Sequence, residues 1–147
     1  RIKEVPMQVH FLNAALFTGG LAAILELSMT IPYVSRVVEG FDRHFDPPLF
    51  PSELVLGYEN TPTTRRPNRK PIAIYADVVV ILTTPYGSSA NACKIARALT
   101  TRRFGPKACL MVSLGGKNAP VTSVIPTLHD PDIESLIEAI ISAYSLS

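Results

Sequence analysis

The 147-residue sequence predicts an α+β fold, with a mostly antiparallel β-sheet and two helices packed on one face. Two apolar runs flank Thr18-Gly19-Gly20, and a short glycine-containing loop between apolar runs is typical of a β-hairpin. Two later segments show helical spacing of apolar residues. The predicted strands carry few charges, so we expect the sheet face opposite the helices to bury apolar surface against a partner.

Length and composition limit the classes of function. The chain has the size of one domain, residues 1–147, and 47% hydrophobic against 18% charged residues indicates a globular protein. A formal net charge of +2 and the absence of Trp do not indicate nucleic-acid binding. Two glycines and a carboxylate interrupt the apolar run 11–27, which argues against a membrane span. We therefore expect neither nucleic acid nor a membrane as a partner.

The first half of the chain is predicted as strands and loops. Residues 7–30 are predicted as two strands, because residues 21–28 alternate between an apolar and a partly polar face. A helix over Ala22–Ser28 is the competing interpretation. Residues 40–71 contain six of the 13 prolines and are predicted as a flexible, basic loop, interrupted by a strand over Glu53–Glu59. The segment 61–71 has four basic and no apolar residues, and we expect it to be solvated.

The second half predicts alternating strands and helices. Strand segments are expected over Ile72–Thr84, with a bend at Asp77, and over Lys107–Leu114. A helix is expected between them, from about Ala90 to Arg103, with apolar residues spaced on one face. Asp130-Pro131 is predicted to open a final helix as N-cap and first-turn proline, because a wide apolar stripe follows.

The loop before the middle helix is a candidate anion-binding site. Gly87, Ser88 and Ser89 precede the helix, and free amide groups at a helix start bind phosphate when a glycine lets the ligand approach. The loop contains neither G-x-G-x-x-G nor the G-K-[ST] ending of a P-loop. Two serines before a helix are also the usual N-cap residues, so capping is the alternative interpretation.

The sequence gives no sign of an active site. It has no G-x-S-x-G elbow, and His10, His44 and His129 have no recognisable nucleophile at a motif spacing. Cys93 and Cys109 have apolar neighbours and are expected to be buried, reduced thiols in a reducing compartment. Two cysteines are too few for a zinc site. We therefore expect no catalytic residue, metal or cofactor, and a protein that is not an enzyme.

A basic surface on the middle helix is the remaining candidate site. Lys94 and Arg97 lie three residues apart, and Arg102 and Arg103 extend the positive charge beyond them. Such a surface can steer an acidic protein partner towards the helix. Most basic runs on helices are only solvated faces, and that interpretation stays open beside partner binding.

The second half also resembles a known family. The order ILTTPYGSSANACKIARALTTRRFGPKACLMVSL, followed by a loop and a short helix, is similar to the small proteasome assembly chaperones, the third and fourth members of that set. The similarity comprises the polar strand end Thr83-Thr84, the helix containing ARALTTRR, the strand Ala108–Leu114 and the closing helix Ile133–Tyr144. The start, VPMQVHFLNAALF, resembles their first strand.

The resemblance implies a non-enzymatic chaperone. Such a protein would pair with a related subunit, as a heterodimer or homodimer, and hold a proteasome α-type subunit during assembly of the α-ring. It would reside in the cytoplasm and also in the nucleus.

The alternative hypothesis is an α/β domain that holds a phosphorylated small ligand at Gly87–Ala90. Both hypotheses expect strands 78–84 and 108–114 to be parallel, because a helix connects them. Antiparallel neighbours elsewhere would favour the chaperone. An all-parallel sheet with helices on both faces would favour the ligand site.

Overall fold

A computed structural model describes residues 7–14, 20–44, 54–60, 76–84, 89–101, 105–115 and 125–146. Five strands and three helices occupy these ranges. In chain order they are β1 (Met7–Asn13), α1 (Gly20–His44), β2 (Leu54–Asn60), β3 (Val78–Thr83), α2 (Ser89–Thr100), β4 (Ala108–Ser113), β5 (Thr127–His129) and α3 (Ile133–Leu146).

The strands form one sheet in the order β2-β1-β3-β4-β5, and every neighbouring pair is parallel. Four strands have six or seven residues, and β5 adds a three-residue edge. Phe11 of β1 lies opposite Tyr58 of β2 and Val80 of β3, and Val80 lies opposite Leu110 of β4. The predicted α+β fold with a mostly antiparallel sheet is therefore wrong, and the chain has an α/β fold.

The hairpin expected at Thr18-Gly19-Gly20 is the main source of that error. From Gly20 the chain runs as a helix, so the competing interpretation over Ala22–Ser28 is the one confirmed. Alternation over eight residues is typical of a strand, so residues 21–28 gave a misleading local signal. Tyr33, Val37 and Phe41, spaced four apart and all buried, form the helical stripe that extends α1 to His44. Because a parallel neighbour requires a crossover, α1 then leads into β2 beside β1.

Helices cover both faces of the sheet. On one face, α1 and α3 pack on a cluster that contains Val9, Phe11 and Val80. On the other face, α2 packs on a cluster that contains Ile81 and Met111. All six residues of β3 are buried. The prediction of two helices on one face is therefore wrong, and the central strand has no apolar face left for a partner.

Several predicted elements are confirmed with small shifts of their ends. The strand expected over Glu53–Glu59 is β2, the helix expected over Ala90–Arg103 is α2, and the pair 78–84 and 108–114 is parallel. A bend at residues 76–77 precedes β3, and the Gln8 N–H donates to Asp77 Oδ2 at 2.9 Å. The loop predicted over 40–71 contains the end of α1 and β2, and its segments 45–53 and 61–71 lie outside the described residues.

The predicted N-cap of the last helix is wrong by two residues. Asp132 Oδ1 accepts a hydrogen bond from the Ser135 N–H at 2.7 Å, which satisfies one free amide at the start of α3. This bond holds the pKa of Asp132 below its ordinary value, since it favours the charged carboxylate. Asp130 instead adopts a left-handed backbone conformation, with φ of 41°.

The predicted burial of the thiols holds for Cys109, while Cys93 is half-buried, and neither cysteine forms a disulfide. Burial in β4 raises the pKa of Cys109 to about 11. In the ranges that the structure describes, no helix is long and apolar enough to cross a membrane.

The thiols provide a test of the layer order. Because Cys109 is buried beneath α2 with a raised pKa, we expect a thiol reagent at neutral pH to modify Cys93 in the folded protein and to spare Cys109. The Cys93→Ser variant should react only after denaturation, and Cys109→Ser should react like the wild type. Rapid modification of folded Cys93→Ser would contradict this packing.

The contact between α1 and α3 gives a second test. A Cβ on the buried Gly40 would lie 2.5 Å from Ile133 Cγ2 and 2.8 Å from Ile137 Cδ1. Overpacking costs about 1–3 kcal/mol, against a gain of about 1 kcal/mol in helix propensity. We expect Gly40→Ala to lower the free energy of unfolding, measured by urea denaturation, and Ile133→Ala to relieve part of the effect in the double variant. Exposed Ser35→Ala on the same helix is the control, and equal stabilities of the two alanine variants would refute the close contact.

Candidate functional site

The strand order creates a switch point at the carboxyl ends of β1 and β3. From β1 the chain moves outward to β2, whereas from β3 it moves the other way to β4 and β5. The connections that leave β1 and β3 therefore diverge, and a crevice opens between them. Open α/β sheets bind their ligands in this crevice, beyond the carboxyl ends of the strands.

Buried polar side chains gather at this edge. Asn13 ends β1, Thr83 and Thr84 end β3, and Ser113 ends β4, and each is at most 5% exposed. Among the described residues, Thr30 on α1 is the other buried polar one. Buried polar groups are costly unless they are hydrogen-bonded, so their concentration at the carboxyl edge of three adjacent strands indicates a polar site.

The backbone holds this polar edge in place. The Ala14 N–H donates to the Leu82 carbonyl at 2.9 Å, and the Leu114 N–H donates to the Thr83 carbonyl at 2.9 Å. These bonds continue the ladders one residue beyond β1 and β4. The side chains of Asn13 and Thr83 are therefore carried by rigid strands rather than by loops.

Helix α2 presents its start to the same edge. It begins at Ser89, after β3 ends at Thr83, and its first turn contains no acidic residue. The partial positive charge of a helix start favours an anion, and no carboxylate in the first turn of α2 competes with such a ligand. Of the predicted anion-binding residues, Ser89 is the first residue of α2, while Gly87 and Ser88 lie outside the described residues.

The predicted basic surface lies elsewhere on α2. Lys94 and Arg97 are exposed in its second and third turns, and Arg102 and Arg103 lie outside the described residues. Thr101 ends the described segment, where its hydroxyl donates to the Arg97 carbonyl at 2.8 Å. The structure therefore does not bring Lys94 and Arg97 to the polar edge.

Of the described histidine side chains, His10 and His129 are not brought together. His10 lies in β1 with its ring over Gly57 of β2, where a Cβ would approach His10 Cε1 to 2.6 Å. His129 is exposed at the end of β5, with β3 and β4 between it and β1. His44 ends α1, and its side chain is outside the described set. No cluster of three or more metal-ligating side chains occurs within the described ranges.

Sequence reasoning missed a second group of residues at the carboxyl edge. The Tyr33 hydroxyl on α1 donates to the Pro131 carbonyl at 3.4 Å, and the Arg36 guanidinium lies 5.8 Å from the centre of the Tyr33 ring. Asp130 Oδ1 accepts a hydrogen bond from the Gly115 N–H at 2.8 Å, which ties the turn after β5 to the end of β4. The spacing of Tyr33, Val37 and Phe41 was the available signal, because it extends α1 past this point.

Comparison of the chain with protein-family models, curated proteins and solved structures found no match. The resemblance to proteasome assembly chaperones therefore stays a prediction. Because a fold hosts many functions, the function has to be argued from the groups at this edge.

The Tyr33 hydroxyl gives a test of the contact between α1 and the start of α3. Burial raises its pKa from the ordinary value of 10.0 to about 12, with Asp130 and Asp132 adding to the rise and Arg36 opposing it. Since the folded state favours the neutral phenol, its contribution to stability is present below pH 10 and is lost as the pH rises through about 12.

We expect the wild type to lose up to about 2–3 kcal/mol of unfolding free energy relative to Tyr33→Phe between those two pH values. Urea denaturation of both proteins across this range measures the difference. A constant difference would mean that Tyr33 ionises as freely in the folded protein as in the unfolded chain.

Proposed function

We propose that the chain is a small-molecule-binding α/β domain that holds a phosphorylated ligand at the carboxyl edge of its sheet. The observation that supports this most strongly is the all-parallel order β2-β1-β3-β4-β5 with helices on both faces. That arrangement was the one expected for a ligand site rather than for the chaperone. It places the diverging connections after β1 and β3 at one crevice, where such sheets bind ligands.

The phosphate would lie at the start of α2. Its free amide groups provide donors and a partial positive charge, and its first turn adds no competing carboxylate. In the sequence, Gly87 and Ser88 directly precede Ser89, the first residue of α2. The uncharged remainder of the ligand would lie over the side chains of Asn13 and Thr84, which suit hydroxyl or amide groups.

The proposal is for binding without catalysis. The side chains that end β1, β3 and β4 are an amide and hydroxyls, whereas general acid–base chemistry uses groups that titrate near neutral pH. His129 lies two strands from the switch point. The proposed site uses no metal or cofactor.

A thermal-shift screen with nucleotides, sugar phosphates and inorganic phosphate tests this function. A ligand at a hundredfold excess over its Kd adds about 2.7 kcal/mol, which raises the Tm of a domain of this size by roughly 5–10 °C. We expect at least one phosphorylated compound to produce such a shift.

A matched pair of variants locates the site. Ser89→Glu places a carboxylate in the first turn of α2, which suits the helix but repels phosphate, and it should abolish the shift. Ser135→Glu makes the same change in the first turn of α3 and should leave the shift intact. Stabilisation that survives Ser89→Glu would move the site away from α2, and no shift with any phosphorylated compound would refute the function.

A protein-binding role as a proteasome assembly chaperone is the second candidate. The observation in its favour is a row of large apolar side chains on α1: Leu21 is 72% exposed, Ile24 63% and Ile31 49%. Their spacing places them on one side of the helix, and exposed apolar groups of this size favour a protein partner. The sequence analysis based this role on an uncovered face of an antiparallel sheet. The described strands do not form such a sheet.

Capture from cell extract distinguishes the candidates. The tagged wild type should recover a proteasome α-type subunit and a related chaperone subunit if the second candidate holds. The Leu21→Lys/Ile24→Lys variant should lose them, with Ser35→Lys, exposed on the same helix, as control. Mass spectrometry that finds neither subunit with the wild type would remove this candidate.

A further inference from the structure

We infer that a cavity between α1 and the carboxyl ends of β4 and β5 binds a small zwitterion, namely a free amino acid with an apolar side chain. The cavity has a volume of about 410 Å³, towards the lower end of the roughly 300–1,000 Å³ of small-molecule pockets. It lies on the face of α1 and α3, whereas α2 packs on the opposite face. The inference is therefore independent of the phosphate site at the start of α2.

Opposite charges line this cavity on different elements. Arg36 comes from α1 and Asp130 from the turn that follows β5. Both lie within electrostatic range of Tyr33, where they act on the pKa of its hydroxyl in opposite directions. The guanidinium is held over the Tyr33 ring, and Asp130 binds the Gly115 N–H. Arg36 and Asp130 thus each contact protein groups on their own side of the cavity. A ligand that bears a carboxylate and an ammonium group can contact both residues at once.

The carboxylate of Asp130 is fixed in position before any ligand arrives. Its backbone has φ of 41°, a left-handed conformation that aspartate tolerates better than most residues with a Cβ. The Asp130 N–H donates to the Ser113 carbonyl at 2.8 Å, and Asp130 Oδ1 accepts from the Gly115 N–H at 2.8 Å. The second carboxylate oxygen is then the acceptor that a ligand ammonium group would use. Such pre-organisation favours binding because little ordering remains to be done.

Arg36 would bind the carboxylate group of the ligand. Its planar guanidinium can donate two parallel hydrogen bonds to a carboxylate, and stacking near Tyr33 restricts its orientation. The Tyr33 hydroxyl, whose pKa burial raises further above its ordinary value, is a neutral hydrogen-bond donor at physiological pH. Its bond to the Pro131 carbonyl is long, at 3.4 Å, and exchanging it for a ligand oxygen would cost little.

Ser28 adds a hydroxyl group to the lining, and part of the remaining wall is apolar. Met29 and Pro32 of α1 and the buried Leu114 after β4 contribute to its lining. A flexible methionine adapts to ligand side chains of different shape. A phosphate would meet the negative charge of Asp130, and a simple amine would meet the positive charge of Arg36. An amino acid with an apolar side chain satisfies both charges and the apolar wall.

Isothermal titration calorimetry on the full chain tests the inference with three kinds of probe. The first is the set of standard amino acids with apolar side chains, including leucine and methionine. The others are matched analogues of leucine: isopentylamine, which lacks the carboxylate, and 4-methylpentanoate, which lacks the ammonium group. We expect at least one amino acid to bind, and to bind roughly tenfold or more tightly than its analogues, because each loses one charged hydrogen-bonding group.

Two substitutions assign the binding to this cavity. Asp130→Asn removes the charge while keeping an oxygen for the Gly115 N–H and tolerating the left-handed φ. Arg36→Gln removes the opposite charge at an exposed helix position. Each should weaken amino-acid binding roughly tenfold or more. Arg43→Gln, which changes an exposed arginine two turns further along α1, should bind like the wild type.

The outcomes separate cleanly. No heat with any apolar amino acid overturns the inference, as does an amine or carboxylate that binds as tightly as the amino acid. Unchanged affinity in Arg36→Gln places the binding elsewhere. If circular dichroism shows that Asp130→Asn is unfolded, Arg36→Gln alone decides, since a substitution at that exposed position leaves the core intact. Loss of amino-acid binding in Ser89→Glu as well would contradict the separation of the two sites.

Discussion

Parallel pairing of β1 with β2 on one side and with β3 on the other is the constraint from which the other features follow. Parallel neighbours cannot be joined by a tight turn, so each connection crosses the sheet, and α1 and α2 occupy two of these crossovers. Because the connections leave in opposite directions, the helices cover opposite faces. The same constraint brings all strand ends of one kind to one edge, where Asn13 and Thr83 are found.

The polar edge and the apolar interior are two consequences of one geometry. In the middle of β3, a strand lies on either side and helices cover both faces. The residues there are Val, Ile and Leu. At its end the covering helices give way to connections, and threonines replace the aliphatic residues at positions 83 and 84. The main-chain groups remain paired up to this edge, where the Leu114 N–H donates to the Thr83 carbonyl.

The sequence patterns were sufficient for elements with long, regular apolar spacing. Helices α2 and α3 and strands β3 and β4 were predicted within a few residues. Helix α1 was missed because its first turns alternate like a strand and Thr18-Gly19-Gly20 resembles a hairpin turn. Strand β5 has three residues, too few for any periodicity. Strand order depends on which apolar faces meet, and local patterns do not contain that information.

The candidate sites were predictable to different extents. The start of α2 was identified because helix initiation has a local chemical signature. The cavity beside α1 was not, because no element was predicted for the segment that contains Arg36 and because Asp130-Pro131 resembles an N-cap signal. Asp132 provides the cap instead, which frees Asp130 to bind the Gly115 N–H across the sheet edge.

The position of β1 between β2 and β3 also has a consequence for how the protein folds. Gln8 and Asp77, which are hydrogen-bonded where β1 meets β3, are 69 residues apart in the chain. Joining such distant segments costs loop-closure entropy before any contact repays it, so this topology folds slowly compared with one built from local contacts. Until β3 is synthesised, one edge of β1 remains open to pairing with other chains. Its aliphatic segment is thus a hazard for aggregation on the ribosome, and early formation of α1 over Phe11 would shield one face of it.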